Sequence, residues 1–194
     1  MILQTSRLLI RPFVRDDLLA IHRILSLAFG DPSMAEHLPE SALEKRRSWL
    51  EWQVLSQEWH ARLRQPPYGD RAITLKTSGQ VIGSIGYVPC LNPFEQIPEL
   101  GSSPNPIGHY TTEFGLFWAI DPQHQRQGYA SEAAQAMVEF AFKQLRLKRI
   151  IATTEYTNVA SQGVMRKIGM RVTRNPLPEP GWLQVVGVLD SMKA

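Results

Sequence analysis

The residues with the most chemical promise lie in one stretch, Phe117-Trp118-Ala119-Ile120-Asp121-Pro122, then Gln123 to Ala133. It is apolar through Ile120, breaks at Asp121-Pro122, and reaches Gly128 just ahead of the small residues Ala130 and Ser131. That order predicts a strand end, a tight loop and a helix start. The first turn of a helix carries N–H groups without internal partners and a partial positive charge, and both suit a phosphate. Gly128 lets the backbone approach such an anion, Ala130 keeps the space clear, and Arg126 adds charge. Taken alone, the Gln125-x-x-Gly128-x-Ala130 pattern equally describes a structural turn. A second stretch follows downstream, Asn158-Val159-Ala160-Ser161 and then Met165 to Met170. By itself it reads as a short helix capped by Asn158 and stopped by Gly169.

Other chemistries are poorly supported. Cys90 is the single cysteine, which excludes an internal disulfide and a cysteine-based zinc site. His22, His37, His60, His109 and His124 are scattered, with no i, i+4 pair for a helical metal site. No Gly-x-Gly-x-x-Gly follows a strand, and Gly-Lys-Ser/Thr is absent. Gly83 and Gly86 fall inside a strand pattern, where they mark a bulge or close packing. The net charge is +3, but residues 123–175 carry nine Lys/Arg against three Asp/Glu. That basic segment suggests an anionic partner or a solvated basic face. Its charges are dispersed, with no recognition motif, so nucleic acid is not expected.

The elements that must position these residues follow from patterning. A chain of 194 residues, 43% hydrophobic and 20% charged, has the size and composition of a single globular domain over 1–194. Met1 to Arg7 lacks the form of a secretory signal, and no apolar run is long enough to span a membrane, so a cytoplasmic location is expected. Arg7 to Arg11 reads as a strand, and Leu18, Ile21, Leu25 and Ala28 as a helix face. Ser41 and Glu44 have the spacing of a capping box that opens a second helix ending at Pro66-Pro67. Arg71 to Leu75 and Gln80 to Tyr87 form a hairpin; Pro89 to Tyr110, with five prolines, reads as an irregular loop. Strand 111–120, helix 130–145, strand 149–154, helix 158–168 and two closing strands complete a mixed α/β order.

Three motifs in this order and spacing carry a family resemblance: Thr5-Ser6-Arg7-Leu8-Leu9-Ile10-Arg11-Pro12, Gln125-x-x-Gly128-x-Ala130 with Ser131-Glu132-Ala133, and Asn158-x-x-Ser161 with Lys167-Ile168-Gly169-Met170. Together they resemble the GNAT superfamily of acetyl-CoA-dependent N-acetyltransferases, most of all its RimJ/RimL-like branch. The resemblance implies a mostly antiparallel, twisted sheet of six or seven strands with about four helices. It implies a splay between the strands at 111–120 and 149–154, into which the pantetheine arm of acetyl-CoA enters. Phe117, Trp118, Ala119 and Ile120 would pair with the pantetheine amides. Gln125 belongs to the turn whose N–H groups, from Arg126, Gln127, Gly128, Tyr129, Ala130 and Ser131, would hold the pyrophosphate. Asn158 would contact the pantetheine, and Ser161 would lie near the sulfur as a donor to the leaving thiolate. A metal is not implied, and a homodimer is compatible with the resemblance.

The acceptor is then a primary amine, either a peptide or protein N-terminus or a small molecule, attacking directly in a ternary complex. A thiol pKa of about 8.5 lets the thiolate leave near neutral pH. An α-amino group near 7.7–8.0 is partly neutral already, whereas a lysine amine near 10.4 needs a stronger base. Glu113, at the start of the parting strand, is the first candidate base, acting through water; Glu155 is the second. Trp49, Trp52, Trp59 and Tyr68 line an acceptor pocket or belong to the core or an interface. The alternative for the whole chain is a non-catalytic CoA-binding or interaction module of the same fold.

Overall fold

The computed structural model describes residues 1–29, 40–101 and 110–191. It shows a mixed α/β fold with four helices and an eight-stranded, mostly antiparallel sheet. The chain divides into two compact units, residues 1–87 with 118–137 and residues 88–117 with 138–194.

The first unit holds β1 (Leu3–Gln4), β2 (Leu8–Pro12), α1 (Leu18–Phe29), α2 (Glu40–Arg62) and β3 (Gly69–Leu75). It also takes β4 (Val81–Asn92) as far as Tyr87, β5 (Thr111–Ile120) from Trp118, and α3 (Tyr129–Lys143) as far as Met137. Strands β1-β2-β3-β4 are antiparallel neighbours, with Ile10 opposite Ile73 and Ala72 opposite Ser84. Alternation along these strands sends Ala72 to the helices, where it joins Phe13, Ile21, Ile24, Leu25 and Leu50 in one core. Each of the buried Ile, Leu and Phe side chains contributes about 1.5–3 kcal/mol relative to exposure. The register shifts between Ile73 and Thr74, next to Gly83. A Cβ on Gly83 would lie 2.4 Å from the Ala119 carbonyl oxygen. The expected bulge and the expected close packing are therefore both present.

The second unit takes the rest of β4, β5 and α3, with β6 (Arg149–Thr154), α4 (Val159–Lys167), β7 (Arg171–Arg174) and β8 (Val185–Asp190). Here β8 lies between β6 and β7 and pairs antiparallel with both. Phe94, Ile97, Ile151, Leu183, Val186 and Val188 form its core. Gly187 leaves room for α4, since a Cβ there would meet the Met170 sulfur at 2.8 Å and the Met165 sulfur at 3.1 Å.

Three expectations need correction. The two-residue β1 adds an eighth strand to the six or seven implied. Helix α2 already includes Glu40, so Ser41 is a first-turn residue and the capping box does not open the helix. The segment from Pro89 is not irregular throughout: β4 continues to Asn92, and a short 3₁₀ turn, Phe94–Gln96, follows. Residues 102–109 of that segment lie outside the described residues, as do His37 and His109.

Candidate active site

The Gly128 turn is built from β5 outward. Asp121 ends the strand fully buried, accepts from the Gln123 N–H at 3.1 Å and pairs with Arg23. The Gln125 side-chain amide donates back to the Ile120 carbonyl at 3.1 Å, closing the loop on itself. Arg126 (φ +59°) and Gly128 (φ +83°) then adopt left-handed conformations. Such alternation turns successive N–H groups toward one concavity, which suits an anion. Among the described residues, no backbone carbonyl accepts from the N–H groups of Arg126 through Ser131. These donors and the glycine fit a pyrophosphate.

Residues that figured in the sequence only as motif members, with no role assigned, hold this turn in place. Glu132 Oε1 accepts from Thr5 Oγ1 at 2.5 Å, Ser6 Oγ at 2.9 Å and the Arg7 N–H at 2.9 Å. Its Oε2 accepts from Arg7 Nε at 2.6 Å. Arg7 also donates to the Gln127 carbonyl at 3.0 Å and stacks on the Tyr129 ring at 4.3 Å. Burial alone would raise the Glu132 carboxyl, but the hydrogen bonds from Thr5, Arg7 and Ser6 outweigh it and bring it down to about 2. The opening Thr5-Ser6-Arg7 motif is thus bound to the turn.

The edge of β5 is defined in the same unit. The Asp121 N–H donates to the Ile82 carbonyl, and the Ala119 carbonyl faces Gly83. Residues 119 and 121 therefore spend their backbone groups on β4, and alternation turns those of Trp118 and Ile120 to the opposite edge.

In the second unit, β5 and β6 run parallel with a single registered pair, Gly115 opposite Ile151, whereas β6 and β8 pair along all six residues of β6. A parallel pair that touches once and does not zip is the local form of a splay. Phe117 follows two residues after that contact, half-buried. Cys90 packs on Gly115, where a Cβ would come within 3.0 Å of its sulfur. Burial pushes the Cys90 thiol up, away from the reactive thiolate form.

Asn158 caps α4, its Oδ1 accepting from the Ser161 N–H at 3.0 Å. Ser161 is half-buried, and its hydroxyl has no hydrogen-bond partner among the described residues. Glu113 receives a hydrogen bond from Arg149 Nη1 at 3.1 Å, and Arg149 Nε reaches Asp190 at 2.8 Å. Arg171 completes this network on Asp190 at 2.7 Å. Glu155 is exposed at the end of β6. Part of the basic excess of 123–175 is therefore matched by protein acids, with Lys143 on Glu139 a further case. Of the aromatic group, Trp49 packs edge-on against Phe13 at 5.5 Å, Tyr68 stacks on His60 at 3.8 Å, and Trp52 and Trp59 are exposed. Among the described residues there is no cluster of three potential metal ligands, and no helix is long and apolar enough to cross a membrane.

Comparison with known proteins bears on what this arrangement does. Residues 7–171 match the family described as the Acetyltransferase (GNAT) domain. The uncharacterized N-acetyltransferase YnaD of Bacillus subtilis is 33% identical over 171 residues, covering 86% of this chain and 81% of YnaD. The crystal structure of a GNAT-family acetyltransferase from Bacillus anthracis is similar at 25% identity and a TM-score of 0.65, covering 97% of this chain and 96% of that one. The ribosomal-protein-S5-alanine acetyltransferase of Vibrio fischeri shares the fold at 15% identity and a TM-score of 0.64, covering 98% and 96%.

Proposed function

The chain belongs to the GNAT acetyltransferase family, and we propose that it moves an acetyl group from acetyl-CoA to a primary amine by direct attack in a ternary complex. The observation that carries this reading is the single β5–β6 pair at Gly115 and Ile151, which leaves a parallel strand pair open. Acetyl-CoA supplies an acyl group activated as a thioester. Within the segment Phe117 to Ile120, the backbone groups of Trp118 and Ile120 offer the open strand edge to the pantetheine amides, while Ala119 is turned to β4. The turn from Gln125 through Ser131 holds the diphosphate on free N–H groups, with Arg126 adding charge. Asn158 lies on the pantetheine side.

In the transfer, a C–N bond forms to the amine while the C–S bond breaks, the electron pair leaves on sulfur, and the amine loses one proton. Ser161 donates a hydrogen bond to the departing sulfur, a contribution of roughly 1.5–3 kcal/mol once that sulfur is charged. Backbone N–H groups at the strand opening stabilise the charged carbonyl oxygen. Glu113, held by Arg149, takes the amine proton through water. Structures that share this fold include a ribosomal-protein-S5-alanine acetyltransferase and a ribosomal L7/L12 alpha-N-protein acetyltransferase, which supports a peptide or protein N-terminus as one acceptor class; a small-molecule amine is the other class the reading carries.

The test follows free thiol after mixing the protein and acetyl-CoA with a panel of peptide N-termini, lysine-like amines and small aromatic amines. The reading expects amine-dependent thiol release with one N-acetylated product per thiol. CoA binding without turnover on any member would favour the binding-module alternative.

A further inference from the structure

Arg71 is a buried cation whose guanidinium is only partly hydrogen-bonded. It lies in β3 opposite Pro12 of β2 and Ile85 of β4, and only 2% of its surface is exposed. Its Nη2 donates to the Pro67 carbonyl at 3.3 Å, but Nε and Nη1 are buried with no hydrogen-bond partner. A desolvated guanidinium is costly unless it is paired, and among the described residues no carboxylate hydrogen-bonds to it. Asp70 is the next residue along β3, so its side chain leaves the opposite face of the sheet, and its carboxylate accepts from Ser84 at 2.7 Å. Tyr87, on the face of Arg71 and Ile85, donates its hydroxyl to the Met137 carbonyl.

The surroundings are electropositive. Burial first, and the Arg71 charge second, lower the pKa of both the Met1 amino group and the His60 ring. His60 Nδ1 is likewise buried without a partner. The region therefore collects unsatisfied nitrogens around one fixed cation, and the carboxylate that attracts it, Asp70, does so from the opposite face of the sheet without a hydrogen bond to it. The turn beside Pro67 is half-buried from Pro66 through Gly69, so the cluster lies one layer beneath the surface.

We propose that Arg71 forms the floor of a buried anion site whose ligand is a small molecule bearing a carboxylate. A carboxylate supplies two oxygens in a plane, the form a guanidinium recognises best. One fixed cation also matches a monoanion better than a phosphate dianion. The site is separate from the acyl-transfer residues and does not depend on their assignment.

The test titrates the full chain, without acetyl-CoA, with sodium acetate, and in parallel with acetamide and inorganic phosphate at matched ionic strength. Acetate raises the Tm saturably, by roughly 5–10 °C at a hundred times its Kd. Acetamide, of the same shape without the charge, does not, and phosphate acts more weakly than acetate. Arg71→Met loses the response, because the planar donor pair is gone. Arg71→Lys keeps the charge without the planar fork and binds acetate more weakly. Should Arg71→Met fail to fold, the Arg71 Nε resonance of the wild-type protein still reports, moving with acetate and not with acetamide. Equal responses to acetate and acetamide, a phosphate response as large as that of acetate, a wild-type response in Arg71→Met, or an unmoved Nε resonance overturns the proposal. Any of these leaves the acyl-transfer reading intact, because thiol release is measured independently.

Discussion

Ser161 sits in the first turn of α4 with its amide already held by Asn158, so its hydroxyl is the group left to act. A donor that strengthens only as the sulfur gains charge changes kcat more than KM. Ser161→Ala is expected to lower kcat about 10- to 150-fold, with the KM for acetyl-CoA nearly unchanged. Glu113 differs, because Arg149 holds one of its oxygens. If Glu113 moves the amine proton, Glu113→Gln slows a lysine-like acceptor, pKa about 10.4, more than a peptide α-amine near 8. Steady-state rates on the two acceptors check this directly. Glu132 binds Thr5, Ser6 and Arg7 to the turn, so it positions donors without itself being one. Glu132→Gln is expected to raise the KM for acetyl-CoA with a smaller effect on kcat. With its folded carboxyl at about 2 against an ordinary 4.5, the stability it contributes is complete above pH 4.5 and fades as pH falls toward 2.

At the scale of elements, the turn before α3 depends on one backbone angle. Gly128 has φ +83°, and a Cβ there would also come within 3.4 Å of Arg7 Nη2. Gly128→Ala should therefore destabilise the fold by about 1–2 kcal/mol and weaken CoA binding, read by urea midpoint and by titration calorimetry. Strand β3 carries an opposite pH signature. Burial pushes the Asp70 carboxyl up from 3.8 to about 6, against the Ser84 hydrogen bond and the charges of Arg46 and Arg71. The unfolded chain releases this proton first, so stability falls as pH rises from 3.8 to about 6 and then levels. Asp70→Asn should remove that fall, flattening the urea midpoint between about pH 3.5 and 7 relative to wild type.

Across the whole molecule, legibility tracked the range of the signal. Asp121-Pro122 stops β5, Asn158 caps α4, and Gly169, at φ +89°, ends it; each acts on its own neighbours, so these boundaries were readable. The Gly128 turn was readable for the same reason. The clamp on it was not, because Glu132 and Arg7 stand 125 positions apart and no local pattern joins them. The partly hydrogen-bonded state of Arg71 is invisible for a related reason: a sequence does not show which partners are missing. Prolines misdirected the reading of β4, which continues through Pro89 to Asn92. The capping-box spacing at Ser41 and Glu44 lost to a helix that had already begun. The core segments and the cofactor-facing motifs were thus local, and the supports that fix them were tertiary.

The central claim is that the free edge of β5 and the Gly128 turn receive acetyl-CoA. Hydrogen–deuterium exchange with and without CoA tests it most directly. The account predicts slowed exchange at Trp118 to Ile120, at Arg126 to Ser131 and at the start of α4 near Ser161. Unchanged exchange at all three under saturating CoA, or protection confined to other segments, would contradict it.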